Sequence, residues 1–152
     1  MPAATPTELL PKARNYCARQ ERAQQEVRDK LYAWGAHQQE VEAIIAQLIA
    51  DGFLNEARFA EHFAVSKSRQ KGWGPRKIEA ALKQKRVSDP CIRAALRAID
   101  REEQTDLLQK LVAKRWGKEK EPNTFRKRQK VMAYFLRKGF PVAEVEQALS
   151  SL

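Results

Sequence analysis

The chain has 152 residues, 43% of them hydrophobic, which excludes wholesale disorder and leaves room for one ordinary domain or several very small units in series. It carries 29 Lys and Arg against 19 Asp and Glu, a formal net charge of +10, and its pI is near 9.9. This basic balance favours a polyanionic partner, which could be nucleic acid, an acidic membrane or an acidic protein surface.

The first predicted element is a helix over about residues 7–21. Its apolar side chains share one face and are Leu10, Ala13, Tyr16 and Cys17. The N-terminal stretch MPAATPTELLPKA lacks the apolar segment of a signal peptide. No run in the chain approaches the ~18 apolar residues of a membrane span. We therefore expect a cytoplasmic protein.

An internal repeat follows, in which three segments align without gaps. Each segment has an anchor residue, one apolar residue four positions before it, and others five, ten, fourteen and seventeen positions after it. In the first segment these residues are Val27, Leu31, Ala36, Val41, Ile45 and Leu48. In the second they are Ile78, Leu82, Val87, Ile92, Leu96 and Ile99. In the third they are Val131, Phe135, Phe140, Val145, Leu149 and Leu152.

This spacing predicts a helix, a short turn and a second helix in each segment. Gly35 and Gly139 stand in the turn and suit the left-handed position that ends a helix. Arg86 occupies that position in the second copy, at a conformational cost. We expect Ser88 to cap the following helix and Pro141 to lie in the first turn of its own.

A leading helix completes each of the other two units, over about 55–70, capped by Asn55, and over about 101–117. The chain is therefore predicted to be all-α, with three tandem three-helix repeats in an elongated, modular array. The predicted units are 1–52, 53–100 and 101–152. Such an array usually binds along an extended partner, and it is a poor frame for an enclosed catalytic pocket.

The chain offers little for catalysis or for a metal. His37 and His62 have no partner at a metal-ligand spacing, and neither have Cys17 and Cys91, which we expect to be buried free thiols. The sequence contains no GxxxxGK[ST], GxGxxG or GxSxG motif. We therefore predict a protein that is not an enzyme and needs no cofactor.

Charge is clustered along the chain. Residues 65–88 hold eight basic side chains against one acid, and residues 110–138 hold eleven against two. Between 40 and 64 the balance reverses, with five acids against one base. Such patches are typical of a surface with a definite orientation on a partner, although each run could also be only a solvated face.

The basic stretch KSRQKGWGPRKI (67–78) contains a predicted turn, in which Pro75 starts a helix. Units one and three have no GWG, so this turn is a candidate contact with a partner. Trp73 could stack on a base or anchor a protein contact. Alternatively, its ring could close the hydrophobic junction between the two helices.

Three stretches of the chain carry a family resemblance. They are DGFLNEARFAEHFAVSKSRQKGWGPRKIEAALKQKRV (51–87), YCARQERAQQEVRDKL (16–31) and FRKRQKVMAYFLRKGFPVAEVEQAL (125–149). In this order they resemble the central, N-terminal and C-terminal signatures of the RecX family, the bacterial regulators of the RecA recombinase. The resemblance covers nearly the whole chain in order.

The chain departs from the family pattern mainly at helix ends. Ala23 stands where the family usually has Ser, so an expected N-cap is missing. Asn55 replaces the common Asp and can still cap a helix, Arg86 replaces the usual Gly of a turn, and Ala81 stands where an acid is frequent.

The resemblance implies three tandem three-helix repeats that bind the RecA nucleoprotein filament along its helical groove. There the protein would inhibit strand exchange, ATP hydrolysis and co-protease activity by a steric effect, without a cofactor. The resemblance also leaves room for direct contact with single- or double-stranded DNA. Separately, we expect a monomer.

The candidate contact residues are basic side chains, with Trp73 as an anchor, that would be attracted to an acidic groove or to DNA phosphates. In the second unit they are Arg58, Lys67, Arg69, Lys71, Trp73, Arg76 and Lys77. In the third unit they are Arg126, Lys127, Arg128, Lys130, Arg137 and Lys138.

An alternative hypothesis is a free-standing helical DNA-binding module, similar to a helix-turn-helix protein, that does not act through RecA. Its affinity for DNA would be tight and steeply dependent on salt. No helix shows an obvious Asn, Gln or Arg face for reading bases, which weighs against this alternative. A scaffold for a different protein partner is a further alternative.

Overall fold

The computed structural model describes residues 6–152, with side chains from residue 8 onward. Residues 1–5 of the N-terminal stretch MPAATPTELLPKA, in which we expect no signal peptide, lie outside that range. The described part of the chain folds into nine α-helices and contains no strand. They are α1 (Pro6–Arg19), α2 (Gln24–Ala33), α3 (Gln38–Ala50), α4 (Glu56–Lys71), α5 (Pro75–Gln84), α6 (Asp89–Arg97), α7 (Arg101–Lys118), α8 (Thr124–Arg137) and α9 (Val142–Ser150).

The helices form three successive three-helix units, each with its own hydrophobic core. This confirms the predicted all-α class and the threefold repeat. The chain exposes 9621 Å², whereas a compact monomer of this mass exposes about 7,900 Å². The larger area agrees with small units that are joined in series.

The repeated apolar positions form these cores, as the spacing predicts. The anchors Leu31, Leu82 and Phe135 are at most 2% exposed. Leu152 is the clear exception, with 54% exposed, because α9 ends at Ser150 and the leucine lies beyond the helix. The apolar face of α1 also includes Leu9, which is fully buried and which the predicted face omitted.

The turn inside each unit ends a helix with a left-handed residue, as predicted. Gly35 has φ 92° and Gly139 has φ 99°, and Arg86 adopts φ 59° at the equivalent place. A side chain in this conformation costs about 1–2 kcal/mol relative to glycine.

We therefore expect Arg86→Gly to raise the free energy of unfolding. The gain should be about 0.5–1 kcal/mol, because relief of strain is partly offset by the greater freedom of glycine in the unfolded chain. Urea unfolding followed by circular dichroism measures it. The reciprocal control, Gly35→Ala in unit one, should lower stability, and a loss of stability in Arg86→Gly would contradict this account.

The structure confirms the predicted helix cap at Asn55 and differs from the predictions for Ser88 and Pro141. The Asn55 side chain accepts a hydrogen bond from the Arg58 N–H at 2.9 Å, which confirms that it caps α4. Ser88 stands at the N-cap of α6 but its side chain makes no cap: its hydroxyl donates to the carboxylate of Glu56 at 3.5 Å, and the same carboxylate accepts the Ser88 backbone N–H at 2.9 Å. Pro141 lies at the N-cap of α9, one residue before the predicted first turn.

The environment of Ala23 explains why the first unit has alanine where the family usually has serine. It is the N-cap of α2, makes no side-chain cap, and is fully buried within the core of the second unit. A hydroxyl would be buried among apolar atoms there, at a cost unless it found a partner. The methyl group therefore helps to join units one and two.

We expect Asn55→Ala to lower the free energy of unfolding by about 1 kcal/mol, because it removes the side-chain acceptor of an otherwise unsatisfied N–H. Thermal and urea unfolding of the variant measure the loss. Ser88→Ala is the matched control, since it changes an N-cap whose side chain does not cap. Equal losses in the two variants would contradict the assignment.

Candidate partner-binding surface

The basic stretch 67–78 forms the predicted turn between α4 and α5. Gly72 ends α4 with φ 64°, and Pro75 is the first residue of α5. Ile78 and Leu82 on α5 are both fully buried in the core of unit two. The turn is thus held by apolar contacts on one side, and its basic side chains lie around the other.

The turn also meets unit three, backbone against backbone. The Gly74 N–H donates to the carbonyl of Lys138 at 2.7 Å, and the Arg76 N–H donates to the carbonyl of Gly139 at 3.0 Å. A Cβ atom on Gly74 would lie 2.4 Å from the carbonyl carbon of Gly139. We call this approach the glycine contact. This contact requires glycine at position 74 of the middle unit, although the repeat pattern itself calls for no glycine there.

Trp73 covers the α4–α5 junction of unit two and keeps part of its ring exposed. The ring packs edge-on against Phe63, with centroids 6.3 Å apart. The ammonium groups of Lys77 and Lys67 lie 4.5 and 5.1 Å from its centroid. Attraction between cation and ring holds both lysines at this surface.

A basic cleft opens where units two and three meet. Its volume is about 180 Å³, and its floor includes Leu111, Tyr134 and Phe135. The basic side chains that line it are Lys71, Lys114, Arg115, Lys118 and Lys138. None of the residues that line it is acidic, so the cleft should attract anions.

Lys71 and Lys138 are among the predicted contact residues, whereas Lys114, Arg115 and Lys118 were not predicted. Lys114 and Arg115 each lie one helical turn before Lys118 near the end of α7, and that spacing was the available signal. Sequence alone could not show that this part of α7 faces the end of α4. The Arg115 guanidinium lies 4.1 Å from the centroid of Tyr134.

Three of the predicted contact residues are instead paired with carboxylates. Arg58 donates to Glu21 and to the carbonyl of Gly52, and Lys130 donates to Glu121 at 3.1 Å. Arg69 reaches both carboxylate oxygens of Glu103, at 2.7 and 3.2 Å. This hydrogen bond raises the pKa of Arg69.

The partners of Arg58 and Arg69 lie 37 and 34 residues away along the chain. For this reason the run of charge in the sequence does not reveal the pairs. A base that is already paired with a carboxylate attracts an external anion less than an unpaired one does.

The remaining candidates of unit three lie on α8. Arg126 and Arg137 are exposed and Arg128 is half-buried, and no ion pair engages them among the described residues. Lys127 lies over the ring of Trp116, 4.3 Å from the centroid. Beside them, Phe125 is 68% exposed.

Other chemistry is sparse in the part of the chain that the structure describes. No group of three His, Cys, Asp or Glu side chains is placed to hold a metal ion. Cys17 is a buried free thiol, as predicted, and burial raises its pKa. Cys91 is free but only half-buried. None of the nine helices is long and apolar enough to cross a membrane.

Family models match the chain in three consecutive parts. The model described as "RecX, first three-helix domain" matches residues 12–48, the second-domain model 55–96 and the third-domain model 102–149. The models therefore fall on the three helical units in order.

Similar curated proteins carry one printed name, Regulatory protein RecX. The relative from Amycolatopsis mediterranei is 29% identical, over 90% of this chain and 80% of its own length. One from Escherichia coli is 29% identical over 91% and 87% of the two chains. One from Bacillus velezensis is 31% identical, and this chain spans only 49% of its length.

Solved structures share the fold. RecX from Lactobacillus salivarius superposes with a TM-score of 0.86, at 24% identity, over 97% of this chain and 96% of the other. A second structure, of a regulatory protein RecX, superposes with a TM-score of 0.87 at 23% identity, over 95% and 73% of the two chains.

Proposed function

The chain belongs to the RecX family, and from that premise we propose that it binds the RecA nucleoprotein filament and inhibits or modulates its recombinase, ATPase and co-protease activities. The observation that carries the proposal is the match of all three RecX domain models, in order, along nearly the whole chain. The relatives from Amycolatopsis mediterranei and Escherichia coli are both named regulatory proteins.

The charge of the chain supports a nucleoprotein partner. A filament of protein on DNA presents phosphates at regular intervals, and a protein with a net charge of +10 is attracted to such a lattice over several ångströms. This attraction weakens as salt is added, since the Debye length is about 8 Å at 0.15 M salt. Binding to the filament should therefore depend strongly on salt.

Two groups of side chains are the best candidates for the contact. The first surrounds the turn between α4 and α5 and the glycine contact, and consists of Lys67, Lys71, Trp73, Arg76, Lys77 and Lys138. The second lies on α8 and consists of Arg126, Lys127, Arg128 and Arg137. Arg58, Arg69 and Lys130 contribute less, because carboxylates of the chain itself already bind them.

The proposed regulation is steric. Three small units in series present an extended surface, and a chain that lies along the groove of the filament would block its growth or favour its disassembly. We place the protein in the cytoplasm, where RecA acts, and as a monomer.

The ATP hydrolysis that RecA catalyses on single-stranded DNA tests this proposal. Added chain should lower the rate at less than one molecule per RecA, because one bound molecule obstructs several neighbouring subunits. An unrelated protein of similar size and net charge controls for charge alone. An unchanged rate at every ratio would overturn the proposal.

The alternative, a DNA-binding module that ignores RecA, predicts a different result. Filter binding over a salt series should then show the same affinity for bare DNA and for DNA coated with RecA. The filament proposal instead predicts that the chain has a higher affinity for RecA-coated DNA than for bare DNA.

A further inference from the structure

We propose that a second crevice between units two and three, which we call the acidic crevice, binds an arginine side chain presented by a protein partner. Its volume is about 270 Å³, and it shares no lining residue with the basic cleft. Its polar lining residues are Glu61, Ser68, Arg69, Asp100, Glu103 and Gln104. This inference goes beyond the proposed function, because the acidic crevice attracts the charge opposite to that of DNA phosphate.

Two polar side chains of the acidic crevice lack partners within the chain. Ser68 is the only polar residue that is buried in the described part of the chain, with 4% exposed, and its hydroxyl makes no hydrogen bond there. The Nε2 atom of Gln104 is also buried without a hydrogen-bond partner. Buried polar groups without partners are costly and rare in native proteins. Ser68 comes from unit two and Gln104 from unit three, so an occupant of the crevice could satisfy both.

The charged groups of the acidic crevice favour a cation. Its single base, Arg69, is already held by both carboxylate oxygens of Glu103, at 2.7 and 3.2 Å. Glu61 and Asp100 form no ion pair among the described residues. An adjoining hollow adds two further acids and one lysine. Two carboxylates of the crevice are therefore left to attract a cation.

Helix stability explains some of these acids but not all of them. Asp100 caps α7 by accepting the Glu103 N–H at 3.1 Å, and Glu102 and Glu103 lie in the first turn, where negative charge complements the helix dipole. Glu61 lies in the second turn of α4, away from the helix ends. The crevice thus contains an acid whose position neither a helix end nor an ion pair explains.

The arrangement of the acceptors fits a guanidinium group better than a metal ion or an ammonium group. No group of three His, Cys, Asp or Glu side chains is placed to hold a metal ion in the part of the chain that the structure describes. A guanidinium carries five N–H donors in one plane, so it can reach several separate acceptors, whereas lysine is a point charge. The acceptors here are the carboxylates of Glu61 and Asp100 and the hydroxyl of Ser68.

The rest of the lining matches the remainder of an arginine residue in a peptide. Val65, Ile99 and Leu107 supply apolar surface, along which the methylene stem of an arginine can lie. A guanidinium has no acceptor for the Nε2 of Gln104, whereas a peptide carbonyl does. The volume of about 270 Å³ lies below the roughly 300–1,000 Å³ of pockets that enclose a free small molecule. The crevice therefore suits one side chain and its own backbone.

An NMR titration of the ¹⁵N-labelled chain with the peptide acetyl-Gly-Arg-Gly-amide tests the proposal. We expect the backbone amide signals of Ser68, Ile99 and Gln104 to shift and to saturate in the millimolar range, as befits a contact of one side chain. The same peptide with citrulline, which keeps the shape of arginine without its charge, should leave these signals unmoved. Equal shifts with the two peptides, or no shift with either, would overturn the proposal.

A pair of charge-matched variants separates the crevice from the net charge of the chain. Glu61→Gln should bind the arginine peptide about threefold more weakly, because it removes a carboxylate that meets the guanidinium. Glu146→Gln removes an exposed acid of unit three that does not line the crevice, and it should leave the affinity unchanged. If both variants weakened binding equally, net charge alone would explain the binding and the proposal would fail.

Gln104→Met separates a binding role of this glutamine from a structural one. The substitution nearly keeps the volume but removes a buried donor that has no partner, so the urea midpoint of the free chain should rise while peptide binding weakens. A lower midpoint, or unchanged binding, would contradict the proposal. So would signals that shift with the concentration of the chain alone, because a second copy of the chain would then occupy the crevice. Since no RecA is present, failure here leaves the filament proposal standing.

Discussion

Replacing Gly74 with alanine is expected to lower the free energy of unfolding by about 2–4 kcal/mol. The new Cβ atom would lie 2.4–2.5 Å from three backbone atoms of Gly139 and Phe140. Backbone atoms cannot move aside as the end of a side chain can, so the turns of units two and three must separate. The two hydrogen bonds of the glycine contact would lengthen or break, at about 1 kcal/mol each.

The backbone at Gly74 makes this substitution informative. Its φ of −81° and ψ of 169° are open to any residue, so the loss comes from the crowded contact and, to a smaller extent, from the poorer N-cap that alanine provides. Gly117→Ala in the last turn of α7 is the matched control, because its Cβ would meet nothing within 4 Å. It should be neutral or stabilising by up to about 1 kcal/mol. Urea unfolding in which Gly74→Ala matches the native midpoint would contradict the glycine contact.

Replacing Trp73 with alanine should cost about 2–3 kcal/mol of the free energy of unfolding, somewhat less than for a fully buried tryptophan. The ring packs on Phe63 at 6.3 Å between centroids and closes the core of unit two. Its removal would also release Lys67 and Lys77 from the ring face. The midpoint of urea unfolding measures the loss.

Two further substitutions distinguish packing from simple loss of an aromatic surface. Phe125→Ala removes a ring that is 68% exposed, and it should change stability by less than about 0.5 kcal/mol. Trp73→Phe keeps an aromatic face toward Phe63, so it should recover most of the stability that alanine loses. If Trp73→Ala were as stable as Phe125→Ala, the ring would not be part of the core.

Features that depend on local periodicity were predictable from the sequence. Val27 and Leu31 lie one helical turn apart, as do Ile78 and Leu82, and every one of them is buried. A helical face that must be covered leaves this signature whatever its tertiary partner is. The same holds for Asn55 and for the left-handed Arg86, since helix ends impose local requirements.

The features that join units were not predictable. In the sequence, Gly74 is identifiable only as part of a turn. In the structure, its lack of a side chain allows the backbone of Gly139, in another unit, to approach closely. Arg69 reads as part of a basic run, but Glu103 pairs with it from α7. The basic cleft depends on how α7 and α8 lie against the end of α4. Each depends on distances between residues far apart in the chain, and one sequence carries no periodic signal for them.

Strand exchange catalysed by RecA, with the purified chain added at increasing ratios, tests the central claim most directly. We predict that product formation falls when the chain is present at well below one molecule per RecA, and that the inhibition weakens as salt is raised. Unimpaired strand exchange at every ratio, including excess over RecA, would contradict the claim that this protein regulates the RecA filament.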